Sequence, residues 1–149
     1  MNISDLLKER GRSVQSIEAD RSVEEAISLL DAAGTGALIV MQNGLPVGIF
    51  TERDVLRCHL RNRGSLFSEV TVEKAMTARL IVTEPQEDIP AALATMIKAD
   101  IRHLPVIDQG RIVAMLSICD LVEHQVDTLT AEIHYLKDYI NDLHDADRD

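Results

Sequence analysis

Adding 66 to a residue number reproduces the pattern of this chain without a gap from Ser16 to Leu56. Ala26 maps onto Ala92, Ala33 onto Ala99, Leu38 onto Leu104, Val40 onto Val106, Gly44 onto Gly110, Val47 onto Val113 and Asp54 onto Asp120. Few residues are identical, but the apolar positions and the turn glycine keep their places. A repeat of this period is a strong constraint, because a unit of roughly 55 residues buries too little surface to stand alone. The 149 residues therefore imply two half-domains that share one pseudo-two-fold core.

The elements of one copy follow from local pattern. Ser4–Arg10 reads as a short leading helix with Ser4 as its N-cap and Gly11 at its stop. Val14–Ile17 alternates like a half-buried strand. Ser22 is placed to cap a helix through Val23, Ala26, Ile27, Leu29 and Leu30, ending near Gly34. Ala37–Met41 is an apolar strand, Asn43-Gly44 a hairpin turn and Pro46–Phe50 the returning strand. A second helix starts after Thr51, so each copy runs strand, helix, strand, strand, helix. Arg61–Thr77 join the copies, and Val72–Met76 within them match the leading helix. The expected class is α/β. The expected divisions are a first domain with its leading helix at 1–62, a linker at 63–77, a second domain at 78–123 and a helical tail at 124–149.

Composition narrows the function. Apolar residues make up 46% and charged residues 27%, as in a globular protein, while 3% aromatics and no Trp require an aliphatic core. No long uncharged apolar window and no apolar leader are present, so the expectation is a soluble, cytoplasmic protein without a membrane partner. Two cysteines, Cys58 and Cys119, neither form a disulfide scaffold nor have metal-ligand spacing. The net charge of −10 argues against a nucleic-acid partner. From Asp120 onward nine acids face two bases, whereas residues 1–119 carry 16 acids and 13 bases, so the main body has room for a small anion. No nucleophile elbow, His-Glu-x-x-His or Walker loop occurs, and the expectation is no catalysis, no catalytic cofactor and no metal. His124, His134 and His144 recur every ten residues, which separates them around a helix.

Gly-Ile-Phe-Thr-Glu-Arg-Asp at 48–54, Lys-Ala-Met-Thr at 74–77, Arg-His-Leu-Pro-Val at 102–106 and Ser-Ile-Cys-Asp at 117–120 complete the pattern. With the repeat and element order, the chain resembles a tandem pair of cystathionine β-synthase (CBS) domains, the Bateman module, from Ile3 to about Gln125. It is similar to small bacterial stand-alone pairs that end in a helical tail. The resemblance implies two halves packed sheet to sheet and adenine-nucleotide binding in the clefts between them.

Two readings meet at the repeated junctions. Thr51 with Asp54, and Ser117 with Asp120, have capping-box spacing, which satisfies orphan N–H groups at a helix start. The same helix start suits phosphate. By resemblance, Asp54 and Asp120 hold ribose, and Thr51 and Ser117 approach ribose or phosphate. The adenine would lie near Ser16-Ile17 and Val82-Thr83, with Gly48 letting the strand come close to a planar base. Ala114 replaces that glycine in the second copy, which makes the first junction the firmer site. Arg53 is the foremost phosphate ligand in a basic run with Arg57, Arg61 and Arg63. Arg102 and His103, with Pro105 beside them, point toward the cleft by the same resemblance. The ligand classes implied are AMP, ADP, ATP or NAD, with S-adenosylmethionine open.

Beyond Asp120 the helix pattern does not stop. Val122, Val126, Leu129, Ile133, Leu136, Ile140 and Leu143 step by 4, 3, 4, 3, 4 and 3, a coiled-coil seam along a helix of ~35 Å. The seam implies a homodimer, and the acidic tip, Asp142, Asp145, Asp147 and Asp149, is expected to fray. The expected function is regulatory sensing of energy or redox state through an adenine nucleotide, with a further protein partner downstream. The alternative is a homodimeric interaction scaffold without a ligand.

Overall fold

A computed structural model describes residues 1–147. Helix α1 (Ile3–Arg10) is followed by β1 (Ser16–Glu18), α2 (Val23–Ala33), β2 (Ala37–Gln42), β3 (Leu45–Thr51) and α3 (Glu52–Arg61). A short 3-10 turn at Phe67–Glu69 and the small helix α4 (Val72–Ala75) lead into α5 (Ile89–Ala99), β4 (His103–Asp108), β5 (Arg111–Ser117) and α6 (Ile118–Asp147). The class is mixed α/β with two pseudo-symmetric halves and a long C-terminal helix, as the repeat requires.

In the first half β1 pairs parallel with β2, and β2 pairs antiparallel with β3. The hairpin turn holds Asn43 at φ 54° and Gly44 at φ 75°, and Gln109 and Gly110 repeat it at 50° and 78°. Both turn positions lie in the left-handed region, the primed geometry that matches strand twist. Even the irregularity repeats, since the register shifts between Val40 and Met41 and again between Val106 and Ile107.

The second half departs from the first at one edge. Its sheet has only β4 and β5, and the strand expected at Val82-Thr83 is reduced to a single parallel bridge between Thr83 and Val106. Pro85 and Pro105 explain the loss. Their counterparts Ala19 and Ile39 donate N–H groups to the Met41 and Gln15 carbonyls, and a proline has none to give. The first strand also sits later than its alternation suggested, at Ser16–Glu18, although Gln15 still accepts the Ile39 N–H at 2.9 Å. The cap of α1 is Asn2, not Ser4. Asn2 accepts the Asp5 N–H at 3.0 Å and Asp5 accepts the Asn2 N–H at 3.1 Å, a reciprocal box that places Ser4 inside the first turn. At the other end α6 is helical to Asp147, taking in Asp142 and Asp145, while Asp149 lies outside the described residues.

The halves exchange their small helices. Ile3, Leu6 and Leu7 of α1 are buried in the core of the second half with Ile89, Met96, Leu104 and Leu121. Val72 of α4 is buried in the core of the first half with Val23, Leu38 and Phe50. Backbone bonds fix both exchanges: Ile3 N–H to the Glu87 carbonyl at 3.0 Å, and Val72 N–H to the Arg21 carbonyl at 2.8 Å. Each half is thus completed by a segment that precedes the other or joins the two.

Candidate functional site: an arginine-lined cleft between the halves

Where β3 ends, the chain must turn directly into α3. Thr51 caps the turn: its N–H donates to Asp54 Oδ2 at 3.0 Å and its hydroxyl approaches the same oxygen at 3.4 Å. Asp54 is only 2% exposed, and its other oxygen accepts the Thr77 hydroxyl at 2.9 Å, with Arg57 Nη1 at 3.6 Å. A buried carboxylate tolerates this position because each oxygen meets a hydrogen-bond donor. Thr77 reaches it through a two-way bridge with Ile49, each N–H to the other carbonyl at 2.9 Å.

That bridge explains Gly48. A Cβ there would stand 2.7 Å from the Thr77 carbonyl oxygen and 2.7 Å from Met76 Sδ. The close approach that this glycine permits is therefore made by the chain's own linker, not by open space for a base. Ala114 holds the same place in the second sheet, buried opposite Val106.

Beside this junction a cleft of about 220 Å³ opens between the halves. Thr51, Arg53 and Arg57 line it from the first half, Thr77 from the joining segment, and Arg79, Ile81, Arg102 and His103 from the second. Arg53 spans the gap, donating to the Asp100 carbonyl at 2.8 Å with the Asp100 carboxylate at 3.5 Å. Arg79 and Arg102 have no ion-pair partner among the described residues. Four guanidinium groups thus line one cleft beside a helix start, two of them, Arg53 and Arg57, paired with Asp100 and Asp54. His103 packs across the halves onto Gly36, where a Cβ would lie 2.8 Å from its Nε2. Burial pushes its pKa below the ordinary imidazole value, against opposite pulls from Glu52 and Asp120 and with a smaller push from Arg102.

The pseudo-symmetric position is built differently. Subtracting or adding 66 turns Arg53 into Cys119, Arg57 into Glu123, Arg79 into Ser13 and Arg102 into Gly36. The capping box survives in full: Ser117 N–H donates to Asp120 Oδ2 at 2.9 Å, and Asp120 N–H to Ser117 Oγ at 3.2 Å. Its cation is Arg10, which binds Asp120 at 2.9 Å and Glu123 at 3.0 Å.

Of the residues singled out in the sequence, Thr51, Arg53, Arg102 and His103 line the first cleft, with Asp54 directly behind Thr51. Ser16 and Ile17 lie in β1 and Pro105 lies buried in β4, all outside the cleft lining. Val82 and Thr83 border a separate surface depression, and the Thr83 hydroxyl is held by Glu87. Arg79, Thr77 and Gly36 were missed. Arg79 had a signal, a lone base just after Lys-Ala-Met-Thr at the joint of the copies. Among the described residues no His, Cys, Asp and Glu group could hold a metal, and no helix is long and apolar enough to cross a membrane.

Two halves of this build, each closing on a strand-to-helix Thr/Ser-x-x-Asp junction, define a CBS pair. The sequence matches the CBS domain model twice, over residues 3–61 and 70–127, and the chain belongs to that family. It is 32% identical over 146 residues to the CBS domain-containing protein CBSX3, mitochondrial, of Arabidopsis thaliana, which spans 93% of this chain and 71% of that protein. The CBS domain-containing protein YhcV of Bacillus subtilis is 28% identical over 119 residues, 79% of this chain and 83% of its own. Among solved structures, the CBS-domain containing protein ATU1752 of Agrobacterium tumefaciens superposes with a TM-score of 0.79 at 31% identity, covering 84% of this chain and 99% of that one. The CBS pair of protein MJ0100 shares the fold at a TM-score of 0.75 and 22% identity, over 86% of this chain and 98% of its own.

Proposed function

We propose that this CBS pair is a regulatory module, without catalysis of its own, that binds an adenine nucleotide by its phosphates in the first cleft. The observation that carries the reading is the convergence of Arg53, Arg57, Arg79 and Arg102 on one cleft at a helix start. Phosphate is the anion that such a set suits, because planar guanidinium forks bind it in pairs of charge-assisted bonds. The structure of MJ0100 is described as a complex with 5-methylthioadenosine and S-adenosyl-L-methionine, so that protein, which shares the fold, takes adenosine compounds. Of AMP, ADP, ATP and NAD, the small cleft favours a mononucleotide over the bulkier NAD. A ribose that reaches Asp54 replaces the Thr77 hydroxyl, an exchange of one donor for another.

Sensing follows from Arg53. It ties α3 of the first half to Asp100 of the second, and a phosphate competes for the same guanidinium. Ligand binding then changes how the halves are held, provided its affinity differs between the two packings.

Calorimetry with AMP, ADP, ATP, NAD and S-adenosylmethionine tests this directly. At least one adenine mononucleotide is expected to bind one site per chain. Arg79→Ala with Arg102→Ala should weaken it by roughly tenfold or more, as charge-assisted bonds are lost. Absence of binding by every adenylate at millimolar concentration overturns the reading.

A further inference from the structure

From residue 126 to residue 146 every side chain of α6 is exposed, so this length of helix leaves the body with nothing of its own chain against it. Yet it carries a continuous seam. Val122, Val126, Leu129, Ile133, Leu136, Ile140 and Leu143 are each between 43% and 55% exposed, large apolar side chains left open to solvent along one face. The opposite face is already provided for, with His134 and Asp138 paired at 3.5 Å one turn apart. The family match ends at residue 127, and ATU1752 is covered over 99% of its length by 84% of this chain. The free length of α6 is therefore an addition to the CBS fold, and the body does not need it to close its cores.

The seam says what covers it. Val126, Ile133 and Ile140 occupy one core position of the heptad and Val122, Leu129, Leu136 and Leu143 the other. β-branched residues at the first and, from Leu129 onward, leucine at the second are the pattern of a parallel two-stranded coil. The charges beside the seam agree. Glu132 and Lys137 stand five residues apart, the spacing at which flanking residues of parallel partners meet, so a two-fold axis pairs each Glu132 with the Lys137 of the other copy. Two antiparallel registers pair six of the seven seam residues: in one Lys137 faces Thr130 and Glu132 faces Tyr139, in the other Lys137 faces Glu123 but Glu132 faces Glu132, and neither matches both charges. We propose that Val122–Leu143 forms a parallel two-stranded coiled coil with a second copy of this chain, setting two CBS bodies side by side. The proposal stands on α6 alone and does not depend on the ligand.

The experiment uses the full chain with Cys119→Ser, since that thiol is exposed and Cys58 is buried. Sedimentation should show a dimer, and Leu136→Asp should make it a monomer whose body melts as before. Leu129→Cys should cross-link to its mate on oxidation, because in the antiparallel registers the two positions would be offset by ~6 or ~16 Å along the helix on top of the interhelical gap, beyond the reach of a disulfide. Lys137→Glu should weaken association about tenfold, and adding Glu132→Lys should restore it. A monomer at roughly 100 µM overturns the proposal. So does a dimer that survives Leu136→Asp, a Leu129→Cys dimer that does not cross-link, or a double charge reversal that does not restore association.

Discussion

Burial holds the His103 imidazole below its ordinary pKa, while Glu52 and Asp120 pull it up and Arg102 pushes it down. The unfolded chain therefore takes up the proton first as pH falls. His103 contributes stability that is present above about pH 6.5, its unfolded value, and is lost as pH drops toward the lowered folded value. Melting curves between pH 7.5 and 5 should show this loss, and His103→Gln should flatten it. A bound phosphate reverses the balance by favouring imidazolium, so nucleotide affinity should rise as pH falls through the same window. Calorimetry in buffers of different ionisation enthalpy should register proton uptake on binding. Two glycines set equally local conditions. Gly48→Ala would drive a Cβ into the Thr77 backbone carbonyl at 2.7 Å, whereas Gly36→Ala meets the His103 ring at 2.8 Å, a side chain with more room to move. Both should destabilise, by about 1–3 kcal/mol as overpacking does, with Gly48 the costlier. Chemical denaturation of the two variants side by side checks the order.

At the level of elements, the difference between the copies matters more than their likeness. The 66-residue echo made helix, hairpin and junction legible in both, because apolar spacing and a turn glycine, Gly44 or Gly110, are local properties. It could not show that Pro85 and Pro105 would remove ladder donors and shrink the second sheet, since that matters only where Thr83 meets β4. The same holds for the site. Thr51, Arg53, Arg102 and His103 were readable from their motifs, but Arg79, Thr77 and Gly36 gain meaning only from what the other half brings to them. Arg10 is the clearest case: nothing in its surroundings along the chain announces that it binds Asp120 and Glu123 at the start of α6. This pair is about one-third exposed on the Arg10 and Asp120 sides, so solvent screening keeps its worth below about 1 kcal/mol. Arg10→Ala should accordingly change the melting temperature little. It should nonetheless free the Asp120 carboxylate for a ribose hydroxyl, and adenosine, which lacks phosphate, is the probe that reads it. Adenosine binding should strengthen in Arg10→Ala while AMP binding at the first cleft is unchanged; equal adenosine affinity in both proteins refutes the latch.

For the whole molecule, the exchanged helices decide what can be separated. The repeat suggests two units divisible near residue 62, yet a cut there strands α1 with the wrong half. A fragment of residues 1–62 lacks Val70 and Val72, both buried in its core, and a fragment of 63–149 lacks Ile3, Leu6 and Leu7, each no more than 3% exposed. Sequence order carries no sign of this exchange, because α1 and α4 are short amphipathic pieces that either core could accept on pattern alone. Leu6→Ala should cost about 2–5 kcal/mol, the range for emptying a buried leucine site. Since α1 is joined to the first half but packs in the second, and α4 leads into the second half but packs in the first, the loss should appear in one cooperative transition and not in two. The two fragments should each be unfolded by circular dichroism when expressed alone and should regain helix when mixed, each supplying the other's missing segment. Truncation after Gln125 should do the reverse: it removes 24 residues, exposed throughout Val126–Ala146, and leaves both cores whole. A fragment 1–62 that melts cooperatively on its own would mean that the first half does not need α4, and the exchange would then be an ornament of the fold instead of its closure.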